Sequence, residues 1–169
     1  MSLYLPEDRD LAPLAGSLES LRQSKMSHRV MSNETNQDSD YEYANAYFYF
    51  LKALKTVSED AERQCEVMDY FNVAWELRDE AVGWANAILT LRGGGLSTEQ
   101  RDAIVRFAAG LRALPSDVIN VDNAREEHLR AMNSSSWTSI RLEARNLKKM
   151  LEAETQRVNS ILWPDGKAR

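Results

Sequence analysis

From Ser17 to Val82 the chain contains neither glycine nor proline. These two residues supply most sharp reversals of a backbone, glycine by reaching positive φ and proline by fixing φ. A stretch this long without either leaves little scope for frequent tight turns. Its β-branched residues never gather into alternating runs separated by turn dipeptides, as a sheet would require. Helix is therefore expected nearly throughout. The fold class read from the sequence is all-α, a single-domain antiparallel bundle of about five to six helices.

Local signals divide the chain further. A first helix is expected after Asp10 and up to about Met31, with Leu11, Leu14, Leu18 and Leu21 as its apolar stripe. The run "SNETNQDSD" (32–40) has no apolar residue and reads as a polar linker. Ser39 and Glu42 then match a capping box, which places a helix start there. On that helix Tyr43, Tyr47, Phe50 and Leu54 share one face, while Tyr41 and Phe48 point elsewhere. A long helix follows Ser58 up to "RGGG" (92–95), with Asn72 as a candidate break. Ser97 and Gln100 form a second capping box, and that helix stops before Pro115. A short helix is expected near 123–132, and a last one over 136–162. In the last, Ile140, Ala144, Leu147, Leu151, Glu154, Val158 and Ile161 step by four and three. This is a heptad seam with one acidic intruder, suited to packing inside a bundle or to a weak homodimer.

Charge is unevenly placed. The net charge is −5. Residues 30–80 hold 12 acids against 4 bases, and residues 101–169 hold 9 acids against 12 bases. An acidic middle disfavours nucleic acid, whose phosphates demand a basic footprint. It either faces the chain's own basic C-terminal third or suits a basic partner. The opening "MSLYLPEDRDLAPLAG" lacks the basic start and apolar run of a secretory signal, and no stretch approaches the roughly 20 apolar residues of a membrane span. With Cys65 as the one cysteine, a cytoplasmic protein is expected.

Most catalytic chemistry finds no footing. His28 and His128 are the only histidines, and no metal-ligand spacing surrounds either, so neither metal nor cofactor is expected. Cys65 falls at an apolar helical position and reads as a buried inert thiol. His128 reads as a surface residue on a short helix. "RGGGLST" lacks the Lys and the strand of a phosphate-binding loop. The pairs Glu59–Asp60, Glu62–Glu66 and Asp79–Glu80 read as a solvated acidic face.

What remains is aromatic. Six of the ten residues 41–50 are Tyr or Phe, and acids flank their start. Tyrosine buries large area at low entropic cost, and neighbouring acids speed association with a basic surface. The function expected is a non-catalytic binding protein, an immunity- or antitoxin-like inhibitor of a basic toxin or effector. Its contact residues would be Asp38, Asp40, Tyr41, Glu42, Phe48, Glu59, Glu62 and Glu66. The alternatives are an oligomeric adaptor using the heptad helix, and a helical enzyme or small-ligand binder with Trp75, Trp84 and the tyrosines lining a pocket between helices.

Overall fold

The computed structural model describes residues 17–166, with side chains described from 37 to 166. Among the described residues there are eight helices and no strand. They are α1 (Ser17–Ser58), α2 (Ala61–Val67), α3 (Val73–Thr90), α4 (Thr98–Arg112), α5 (Ser116–Ile119), α6 (Arg125–Met132), α7 (Ser135–Met150) and α8 (Glu152–Leu162). The chain divides into two compact units, Met1–Asn36 and Gln37–Arg169. The first contributes helical backbone from Ser17, and the helix start expected after Asp10 lies outside the described residues. None of the described helices is long and apolar enough to cross a membrane.

Two expectations are corrected at the front of the chain. Residues 32–40 are helical, not a linker, and the Ser39–Glu42 pair lies inside α1 and caps nothing. Low hydrophobicity had suggested a loop. Yet Asn, Gln, Ser and Asp are only weakly unfavourable in a helix, by well under about 1 kcal/mol each, and no Gly or Pro enforces a stop.

Eight helices stand where five to six were expected: one expected linker is helical, and three further breaks divide the chain, of which the one at Asn72 was marked in the sequence. The long helix after Ser58 is interrupted at Met68–Asn72, where Asp69, Tyr70 and Asn72 all have positive φ (52°, 52° and 41°). Left-handed backbone at non-glycine residues costs on the order of 1–3 kcal/mol each. Local contacts help hold it: the Tyr70 amide donates to the Cys65 carbonyl at 2.9 Å, and the Arg125 guanidinium sits 4.5 Å from the Tyr70 ring centre. The expected break at Asn72 is therefore real. The new helix after Ser58 is capped by Asp60, whose carboxylate accepts from the Arg63 amide at 2.8 Å. The second break is α5, a single turn after Pro115. The third separates α7 from α8 at Leu151, beside which the Gln100 side chain of α4 donates to the Met150 carbonyl. The Ser97–Gln100 capping box forms as expected, with both reciprocal bonds present.

The core is continuous. Tyr43, Tyr47, Phe50 and Leu54 of α1 are fully buried, as their spacing predicts. Helix α3 packs on α4, α4 on α7, and α2 on α6. The heptad residues Ile140, Ala144, Leu147, Leu151 and Val158 are buried within the chain itself. Each fully buried large side chain contributes about 1.5–3 kcal/mol. His128 corrects another expectation: it is buried, with Nε2 2.9 Å from Asn123 Oδ1 and Nδ1 unpartnered. Helix α6 packs simultaneously on α2, α3, α5 and α7, and His128 lies on the side that meets them, while Arg125, Glu126 and Arg130 of the same helix remain exposed.

Candidate functional site

The eight contact residues named above do not form one surface. Asp38, Tyr41 and Glu42 lie exposed together on α1 and, with Gln37 and Asn45, line an open groove. Tyr41 is 58% exposed. Asp40 is only half-buried and turns to the α3–α4 connection, where it abuts Gly93. Phe48 lies two turns beyond Tyr41 on the same side of the helix and is partly exposed. Glu59 follows the C-terminus of α1, about 30 Å along the axis from Asp38 at 1.5 Å per residue. Glu62 and Glu66 begin beyond it on α2, and Glu66 is held locally by Arg63 at 3.0 Å. Asp38, Tyr41, Glu42 and Phe48 therefore lie on the exposed side of α1, Asp40 turns away from them, and Glu59, Glu62 and Glu66 stand apart.

Around Phe48 the tertiary structure adds aromatics that the linear sequence kept separate. Trp163, beyond α8, meets Phe48 edge-on at 5.6 Å between ring centres. Phe48 meets Tyr49 edge-on at 5.5 Å, and Tyr49 stacks on Trp84 of α3 at 4.9 Å with 16° between planes. Four rings thus run in unbroken contact across three elements, and Phe48 and Tyr49 are each 37% exposed. Trp75, the other candidate for a pocket, is 44% exposed and has no part in the ladder. The only sequence signal was the density of aromatics in 41–50; the positions of Trp84 and Trp163 carried none.

Beneath this surface lies a buried charged lock. Glu154, the intruder in the heptad seam, accepts from the Gly95 amide at 2.9 Å and from Arg157 Nε and Nη2 at 2.8 Å each. Arg157 also donates to the Gly93 carbonyl at 3.0 Å and lies over the Tyr43 ring. Burial by itself pushes the Glu154 carboxyl up. The Arg157, Gly95 and Tyr43 donors facing it outweigh burial, so it titrates below the usual carboxylate range. The Tyr43 hydroxyl faces this carboxylate closely enough to feel its charge but outside good hydrogen-bond geometry, so it counts as unpartnered. Burial first and the Glu154 charge second push Tyr43 far above its ordinary value. Burial also pushes Tyr47 up to about 12, against the bond it shares with Thr155 at 2.9 Å. The glycine loop therefore has its Gly95 amide committed to Glu154, and it is tied to the chain's own acid.

Among the described residues no ion pair joins the basic C-terminal third to the acidic middle. Among the described residues the three ion pairs are Arg63–Glu66, Arg130–Glu127 and Arg157–Glu154, each within one helix. Arg145 instead donates to the Ser58 carbonyl at 2.9 Å, and Lys148 to the Ser58 hydroxyl at 3.1 Å. Arg141, buried, reaches the Met132 carbonyl at 2.7 Å, Thr138 and Gln64. Arg145 and Lys148 of α7 thus serve the C-terminal end of α1, and Asp38 and Glu42 stay in solvent.

Catalytic geometry is sparse. Among the described residues no three His, Cys, Asp or Glu side chains converge as a metal site would need. Burial pushes the Cys65 thiol up, with Arg125 opposing, which keeps it in its unreactive form. Comparison with protein-family models, with curated proteins and with solved structures finds no match. The reading of function rests on the chain's own geometry.

Proposed function

We propose that this chain is a non-catalytic binding protein that engages a basic protein through the acidic, aromatic surface of α1, as an inhibitor or neutraliser of a toxin or effector would. The observation that carries the reading is Tyr41, largely exposed between exposed Asp38 and Glu42 and continuous along α1 with Phe48. A large exposed tyrosine flanked by carboxylates that have no ion-pair partner among the described residues suits an Arg or Lys side chain, which gains from the ring face and from the charges together. The aromatic ladder widens the contact and keeps Phe48 and Tyr49 rigid, so little side-chain entropy is lost on binding. Asp40 adds negative charge from the side of α1 that faces the glycine loop. Glu59, Glu62 and Glu66 serve as a separate, distant contact or as long-range attraction.

In this reading the chain acts as a monomer or weak homodimer in the cytoplasm, an antiparallel helical bundle without cofactor or metal. The adaptor reading has less behind it, because its heptad seam is largely consumed inside the fold.

The test is parallel affinity purification from the native host with the wild type and the variant Asp38→Lys/Tyr41→Ala/Glu42→Lys. A basic protein retained by the wild type, lost from the variant and released near 1 M salt, where the Debye length is about 3 Å, is the expected result. Equal retention by both forms removes this surface from consideration.

A further inference from the structure

Helix α1 carries a second concave feature toward its C-terminus, and its charge is opposite. Leu51 and Lys55 of α1, Lys148 and Lys149 of α7, and Glu152, Thr155 and Gln156 beyond them line an open groove of about 470 Å³ with mainly apolar walls. Small-molecule sites commonly span roughly 300–1,000 Å³. Helix dipoles account for where the lysines sit: Lys55 occupies the last turn of α1, and Lys148 and Lys149 the last turn of α7. They do not account for the three converging over one apolar floor. Lys148 is partly engaged by Ser58, whereas the ammonium groups of Lys55 and Lys149 have no partner among the described residues. Glu152 is the one acid in the wall and forms no ion pair with them. Arg145, one turn back on α7, adds a further positive charge at the Ser58 end. In a molecule of net charge −5 this is a local positive field over Leu51 and the lysine stems.

We infer that this groove binds an anionic amphiphile. The alkyl chain lies over Leu51 and the methylene stems of the lysines. The carboxylate or phosphate headgroup is held by Lys55 and Lys149, with Thr155 and Gln156 offering hydrogen bonds at the side. A free fatty acid or lipid monomer and a headgroup in a bilayer surface share this chemistry. The site is independent of the aromatic surface and stands or falls separately from it.

The probe is dodecanoate below its micellar concentration, followed by calorimetry and by the methyl resonances of Leu51 in the full chain. Dodecyl maltoside is the neutral counterpart and inorganic phosphate the headgroup-only counterpart. Vesicles of pure phosphatidylcholine, and of phosphatidylcholine doped with phosphatidylglycerol, form a second arm. Saturable dodecanoate binding that shifts Leu51 is expected. It should weaken about tenfold or more in Lys55→Glu/Lys149→Glu, a loss of at least about 1.4 kcal/mol. Lys55 and Lys149 are exposed, so that variant keeps its fold, checked by its melting curve. Monomer binding assigns a free ligand. Lysine-dependent binding to the doped vesicles alone assigns a bilayer surface. Unchanged affinity in the double variant, equal affinity for dodecyl maltoside, equal affinity for inorganic phosphate, or no binding in either arm would each overturn the proposal.

Discussion

Two points of α1, near Tyr43 and near Ser58, are secured in different ways. Near Tyr43 the fastening is ionic: Glu154 and Arg157 grip the Gly93–Gly95 loop beside the helix. Near Ser58 it runs through carbonyls: Gln64 donates to the Thr56 and Val57 carbonyls, and Arg145 to that of Ser58. The first needs a carboxylate to be ionised. The second needs only cations and amides that stay as they are at any moderate pH. The same helix is therefore acid-sensitive at one point and acid-indifferent at the other.

The largest expected effect breaks the ionic fastening. Glu154→Ala leaves the Gly95 amide and a partly buried Arg157 without their acceptor, and urea unfolding should show a loss of about 3 kcal/mol. The pH dependence follows from the sign of the shift. A carboxyl that titrates lower in the folded chain than in the unfolded one adds stability above its unfolded pKa, and that stability is lost as pH falls through the folded pKa. Melting temperatures of the wild type should therefore fall faster than those of Glu154→Gln between about pH 5 and about pH 3, around and below the usual Glu value. Parallel curves would show that Glu154 is not the titrating group.

The carbonyl fastening gives the next effect. Gln64→Ala strands the buried Val57 carbonyl, while that of Thr56 still accepts from the Glu59 amide, and it takes one acceptor from the buried Arg141, at a cost of about 2 kcal/mol. Unlike the Glu154 variants, its deficit relative to wild type should stay constant across the same acid range. Gly93→Ala then tests the loop itself. Gly93 has φ +89°, and an added Cβ would stand 2.6 Å from Asp40 Oδ1 and 3.0 Å from backbone atoms of Asp40 and Ser39. A loss of about 1–2 kcal/mol is expected. Asp40→Ala in the same chain should recover only part of it, because the backbone contacts and the φ remain. Tyr49→Ala removes the ring stacked on Trp84, for about 1 kcal/mol and a changed tryptophan emission. Smallest is Arg63→Ala, whose exposed pair with Glu66 should be worth less than about 0.5 kcal/mol in chemical denaturation.

The inward face of α1, the capping box at Ser97, the break at Asn72 and the inert Cys65 were all legible, because each is a local pattern. The heptad seam was legible too, but its acid looked like a defect. Glu154 becomes intelligible only beside Gly95, 59 residues away in the chain, whose amide it accepts. His128 misled for a similar reason: nothing in "REEHLRAM" records that four other helices surround α6. Of the candidate surface, the acids and Tyr41 were visible, while Trp84 and Trp163 were not, since no period links them to Phe48.

The sequence alone determined that this chain is helical, because 66 residues without glycine or proline admit little else. It determined which side of α1 turns inward, because apolar spacing and the helical repeat coincide there. The tertiary structure decided where helices break, which acids are locked and which remain in solvent, and which aromatics meet. Those outcomes depend on contacts between residues far apart in the chain, and a side chain's burial, partners and charge state are set by its neighbours in space.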